Sequence, residues 1–118
     1  MKKKLDCYLF THRRRWGFTQ KELSHLLGCR SASVVSRLER AERKPSLTAA
    51  FGCEIIFGVS AGELFPALFD SAEEEVLTRA YDLYERLQGN RSRATRTKLD
   101  ILEAAFTRAR ARGNRKDI

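Results

Sequence analysis

The side chains with the most chemical reach crowd into the first half of this chain. They are Arg13-Arg14-Arg15, Gln20 and Arg30, followed by Ser31, Ala32, Ser33, Ser36, Arg37 and Arg40. Taken at helical spacing, Ser31, Ala32, Ser33, Ser36 and Arg37 form a small, polar and basic face opposite Val34, Val35 and Leu38. Serine hydroxyls donate or accept hydrogen bonds, and an arginine fork grips a phosphate or a planar acceptor pair. That is recognition chemistry. The groups bond-breaking chemistry needs are missing: there is no glycine-rich phosphate loop and no histidine beside a nucleophile in a recognisable context. His12 and His25 are isolated, and Cys7, Cys29 and Cys53 contain no CxxC pair, so neither a zinc site nor a disulfide framework is indicated. No enzyme, no metal and no cofactor is expected.

Charge points the same way. Twenty-three Lys and Arg against fifteen Asp and Glu leave +8, so the surface should attract a polyanion. The charge is segmented: residues 1–44 carry +8, residues 45–90 carry −6 and residues 91–118 carry +6. Contact with a polyanion is therefore expected at the two ends. MKKKLDCYLF has too few apolar residues before Arg13 for a signal peptide, and no run reaches the length of a membrane span, so a cytoplasmic location with no membrane partner is expected.

The elements that must position these residues all read as helices. Leu5, Leu9, His12 and Trp16 predict helix 1, stopped by Gly17, with Trp16 and the phenylalanines at core spacing. Thr19-Gln20-Lys21-Glu22 fits a capping box that opens helix 2, which carries Leu23, Leu26 and Leu27 and ends at Gly28. A very short Cys29-Arg30 connection leads to Ser31, an N-cap candidate for helix 3, about residues 31–40. Two short helices joined this way must cross steeply.

Lys44-Pro45-Ser46 breaks the chain before helix 4, marked by Leu47, Ala50, Phe51, Ile55 and Phe57. Ser60-Ala61-Gly62-Glu63 repeats the capping pattern for a short helix 5, closed by Pro66. Ser71 opens helix 6, with Val76, Ala80, Leu83 and Leu87 in one stripe up to Gly89-Asn90. Leu99, Leu102, Phe106 and Ala109 form the stripe of helix 7, which ends near Gly113. Packed antiparallel, these two helices would set Glu73, Glu74 and Glu75 against Arg108, Arg110 and Arg112, an internal charge match that also suits both helix dipoles.

Residues 19–65, TQKELSHLLGCRSASVVSRLERAERKPSLTAAFGCEIIFGVSAGELF, closely resemble the Cro/repressor (XRE-like) helix-turn-helix family. Thr-Gln, Leu-Gly, Val-Ser-x-Leu-Glu, Lys-Pro-Ser-Leu, Phe-Gly-Val and Glu-Leu-Phe occur in the family's order. The resemblance implies an all-α chain: a five-helix lambda-repressor-like DNA-binding domain over residues 1–69, then a C-terminal helical hairpin over residues 70–118 for packing or dimerisation. It implies a sequence-specific double-stranded DNA-binding transcriptional regulator of repressor type, a homodimer, with helix 3 in the major groove. A helix about 10–12 Å across fits that groove, so small polar residues at its exposed end can approach base edges.

On this reading Ser31, Ala32, Ser33, Ser36 and Arg37 are candidates for base contact, with Ser31 equally suited to a purely capping role. Arg14, Arg15, Gln20, Arg30 and Arg40 are candidates for phosphate contact. Arg13 and Glu39 occupy positions that the family often pairs in a structural salt bridge. Four departures stand out. Gly28 to Glu39 is one residue longer than the commonest spacing; Ala32 replaces a frequent base-reading Gln; Ala41 replaces a frequent Gly; Glu54 replaces a small apolar residue. The alternative is an antitoxin or adaptor whose main partner is a protein bound through the C-terminal helices.

Overall fold

In the computed structural model, which describes residues 5–116, the described residues form seven α-helices and no strand. They are α1 (Leu9–Arg15), α2 (Gln20–Leu27), α3 (Ala32–Glu39), α4 (Leu47–Phe57), α5 (Ala61–Leu64), α6 (Pro66–Leu87) and α7 (Arg93–Lys116). The chain divides into two compact units, residues 1–70 and 71–118. No helix among the described residues is long and apolar enough to cross a membrane.

The first unit is built around one side chain or two from each of its helices. Leu9 of α1, Leu23 of α2, Val35 and Leu38 of α3, Cys53 of α4 and Leu64 of α5 are all but fully buried together. Five such short helices cannot stand alone, so their stability comes from this shared apolar centre. The incoming chain is fastened to the far end of the unit by backbone bonds, Tyr8 N–H to Leu64 O at 2.8 Å and Ala67 N–H to Asp6 O at 3.3 Å. α4 approaches α2 closely: a Cβ on Gly52 would lie 2.7 Å from a methyl of Leu27.

Several helix boundaries and faces differ from the sequence expectation. Leu5 precedes α1 and is exposed, and Trp16, 64% exposed, is the C-cap of α1 and no part of the core. Its inward turn is taken by buried Arg13, one helical turn after Leu9. Phe10, Phe51 and Phe69 are also exposed, so core spacing does not hold for the phenylalanines as a group. Of the five residues that mark α4 in the sequence, Ala50 is buried and Phe57 half-buried against the core, whereas Leu47, Phe51 and Ile55 face outward, with Leu47 70% and Ile55 82% exposed. Ala49 and Cys53 are buried beside Ala50, because small side chains let this helix lie close to its neighbours.

Pro66 starts α6 where a stop was expected. A proline fits the first helical turn, whose N–H groups lack intrahelical partners in any case. The helix thus begins five residues before Ser71, and the expected boundary between residues 69 and 70 falls inside it.

In the second unit α6 and α7 pair antiparallel. Glu73 meets Arg112, Tyr81 stacks on Phe106 with centroids 4.1 Å apart, and the Tyr84 hydroxyl donates to Glu103 at 2.6 Å, so partners in α7 descend as numbers in α6 rise. The inward stripe on α7 is the expected one, with Phe106 buried and Leu99, Leu102 and Ala109 half-buried, and buried Thr95 joins it. On α6 the half-buried positions are Glu73, Leu77, Ala80, Tyr84 and Leu87, whereas Val76 and Leu83 are exposed. The helix is rotated from expectation because both Tyr81 and Tyr84 pack against Phe106, which outweighs two aliphatic residues. Gly113 does not end α7, which continues to Lys116.

Candidate nucleic-acid interface

The local chemistry of residues 19–40 fixes where α3 sits. Thr19 caps α2: its hydroxyl accepts from Glu22 N–H at 3.0 Å, and the Glu22 carboxylate accepts from Thr19 N–H at 2.9 Å. Hydrogen bonding from the Thr19 backbone N–H, and after it from the Thr19 side chain, holds the Glu22 carboxyl below the usual carboxylate range. At the other end Gly28 takes φ +70°, a left-handed conformation that glycine adopts without Cβ strain. Gly28 N–H then donates to His25 O and Cys29 N–H to Ser24 O, a pairing that satisfies the last carbonyls of α2 and turns the chain sharply. Cys29 and Arg30 connect the two helices, and Ser31 is the N-cap of α3 in extended backbone conformation.

The inner face of α3 is anchored by Val35 and Leu38 and by a buried polar knot at its C-terminal end. Arg13, 6% exposed, donates through Nε and Nη2 to the two carboxylate oxygens of Glu39, and through Nη1 to Phe18 O at 2.8 Å. The Gln20 side-chain amide donates to Glu39 Oε1 at 2.9 Å. Among the described residues no fully buried side-chain polar atom lacks a partner, so the charge pair stands in the core without an unsatisfied buried group. Helix α1, the loop before α2, the start of α2 and the end of α3 are thereby locked together.

The outer face carries the base-contact candidates. Ser31, Ser33 and Arg37 are exposed, and Ala32 and Ser36 are half-buried. Ser31 provides no side-chain cap; its hydroxyl lies 2.6 Å from that of Ser33, making a local hydrogen-bonded pair at the helix start. Arg37 has no ion-pair partner among the described residues.

The phosphate-contact candidates are scattered. Arg14 and Arg15 are exposed on α1, with the Arg14 guanidinium 5.8 Å from the Phe10 ring centroid. Arg30 is exposed in the turn, and Arg40 is exposed beside Glu42 at 3.2 Å, a solvated pair of little energetic weight. Gln20 belongs to the knot, so part of its hydrogen-bonding capacity is already used. Sequence reasoning did not single out Arg43 and Lys44, which lie beside Arg30 around one cavity in the first unit.

Two departures noted in the sequence have structural counterparts. Ala41 adopts φ +59°, a left-handed conformation in which Cβ crowds the backbone. Glu54 is half-buried and accepts from Ala61 N–H at 2.7 Å, which satisfies the first amide of α5 and places negative charge at that helix start.

The thiols lie in different surroundings. Burial pushes the Cys53 thiol up to about 12, with the Cys7 and Cys29 sulfurs adding to the effect, and burial also raises Cys7. Cys29 is half-buried. Among the described residues no three His, Cys, Asp or Glu side chains are grouped to hold a metal ion.

Compared with known proteins, residues 13–64 match a helix-turn-helix family model. No curated protein and no solved structure matches the chain. The matched span starts at the arginine of the buried knot and ends at the core leucine of α5, enclosing the capped α2, the tight turn and the anchored α3. Over residues 13–64 the chain is thus similar to the Cro/repressor (XRE-like) helix-turn-helix family of DNA-binding regulators.

Proposed function

We propose that the chain is a sequence-specific double-stranded DNA-binding transcriptional regulator that lays α3 in the major groove. The observation that carries this reading is the division of α3: Val35 and Leu38 are buried and Glu39 is locked, while Ser31, Ser33 and Arg37 are left exposed at the other side. A helix held this firmly presents its outer side chains in one geometry, which base readout requires. Ser31, Ala32, Ser33, Ser36 and Arg37 face base edges, and Arg14, Arg15, Gln20, Arg30 and Arg40 serve the phosphate backbone. One such helix covers few base pairs, so the working species is a homodimer on twofold half-sites about 34–36 Å apart, acting as a repressor in the cytoplasm.

Selection of bound duplexes from a random pool tests this. A palindromic consensus with half-sites one turn apart is the expected result; recovery of unrelated sequences with equal affinity would overturn it.

Exposed Val76 and Leu83 on α6 and Ile101 on α7 favour a second reading, in which residues 70–118 grip a protein partner as an antitoxin or adaptor would. A stoichiometric partner co-purifying with the full chain and lost on Val76→Ser with Leu83→Ser would support it. A full chain that purifies alone, with DNA selectivity intact, would sink it.

A further inference from the structure

We propose that a cavity of about 500 Å³ between the α2–α3 turn and the loop leading into α4 binds a small organic anion with a compact apolar body, such as an aryl or branched alkyl carboxylate. The floor is apolar, formed by Leu27, Val34 and Leu38. The rim is cationic, formed by Arg30, Arg43 and Lys44, all exposed and none paired with a carboxylate among the described residues. Small-molecule sites commonly enclose ~300–1,000 Å³ with apolar walls and a few convergent polar groups, and this cavity has both the size and the lining.

The two halves of the lining select the ligand together. Inorganic phosphate would neutralise the rim but leave Leu27 and Val34 against water. A neutral hydrocarbon would cover the floor but bring no counter-charge to the three cations of the rim. A carboxylate on a ring or a branched chain does both. Nucleic-acid phosphate offers the rim the same charge but has no apolar body for the floor.

The position gives occupancy a consequence. Arg30 precedes α3 and Arg43 and Lys44 follow it, so a carboxylate bound on this rim counters cations that flank that helix. On the DNA-binding reading, this lowers affinity for duplex and flattens its salt dependence, because fewer counterions are released.

The test uses the full chain, labelled with ¹⁵N and titrated with 4-phenylbutyrate, and in parallel with acetate, inorganic phosphate and the neutral 4-phenylbutanol. Saturable amide shifts confined to residues 27–30, 34–38, 43, 44 and 46 are expected, with 4-phenylbutyrate binding at least about tenfold tighter than the other three. Arg43→Gln combined with Lys44→Gln, both at exposed positions outside the core, should weaken it by about tenfold or more while leaving the melting temperature unchanged. Phosphate binding as tightly, shifts spread over all basic surfaces, no saturation, or indifference to the double variant would each overturn the site. Direct binding with no effect on a selected duplex would leave the site standing and remove only its coupling to DNA.

Discussion

Arg13 and Glu39 meet across 26 positions of sequence through two hydrogen bonds, with side chains 7% and 4% exposed. Two ions taken this far from water are favourable only when their remaining groups are satisfied, and here Phe18 O and the Gln20 amide complete the set. Glu39→Gln leaves the guanidinium buried without its counter-charge. The expected loss is ~3–5 kcal/mol, read as a fall in melting temperature of well over ten degrees for a unit of this size. Arg13→Met with Glu39→Leu should cost less than the sum of the single changes, because no lone charge remains. Melting of Glu39→Gln within two degrees of the parent would show that the pair carries no such weight.

How much of this was visible in the sequence depended on whether a local rule or a tertiary contact decided the matter. The box at Thr19 and Glu22, the Gly28 stop and the inward Val35 and Leu38 follow from capping geometry and helical period, which act within a few residues. The outward stripe of α4 does not. Leu47, Phe51 and Ile55 form a periodic apolar face, yet the helix turns Ala49, Ala50 and Cys53 inward because close packing favours small residues. Pro66 is equally ambiguous from local rules, since proline both ends helices and begins them. On α6, choosing Leu77 and Tyr84 over Val76 and Leu83 required knowing that Phe106 lies opposite. The cavity was not legible at all, because Arg30 and Arg43 are brought together only by the turn and the loop on either side of α3.

Ala41 offers a stability gain. Its φ of +59° lies in the left-handed region, where an L side chain costs ~1–2 kcal/mol and glycine is unstrained. Glycine also loses more chain entropy on folding, which returns part of the gain. Ala41→Gly should therefore stabilise the fold by up to about 1 kcal/mol. The check is a rise in the urea midpoint with an unchanged slope; a fall would mean that the methyl makes a contact worth more than the strain.

Cys53 makes the fold sensitive to alkali. Its thiol titrates near 12 in the folded chain against about 9 when unfolded, so the folded state holds the proton more tightly. This contribution is fully present below pH 9 and is lost as pH rises from 9 towards 12, the direction in which stability should decline. Cys53→Ala should flatten that decline in urea titrations run across the same window. At pH 8, iodoacetamide should modify half-buried Cys29 first and leave Cys7 and Cys53 protected until the chain unfolds.

Specificity and affinity should separate between two sets of arginines. Arg37 is exposed on the outer face of α3 with no ion-pair partner among the described residues, free to fork onto a base edge. Arg14 and Arg15 lie on α1, away from the base-contact face in sequence and in element. A base contact carries sequence information, whereas a phosphate contact carries salt dependence. Arg37→Ala should cost ~1–3 kcal/mol on the selected duplex and relax preference at one position per half-site. Arg14→Ala and Arg15→Ala should weaken all duplexes alike and reduce the slope of log K against log salt by about one for each phosphate contact removed. The one-residue excess at Cys29-Arg30 can turn α3 so that Arg30 or Ser31 takes the base contact, so the scan extends across residues 30–37. If alanine at each of these positions leaves the selected consensus unchanged, α3 is not the reading helix.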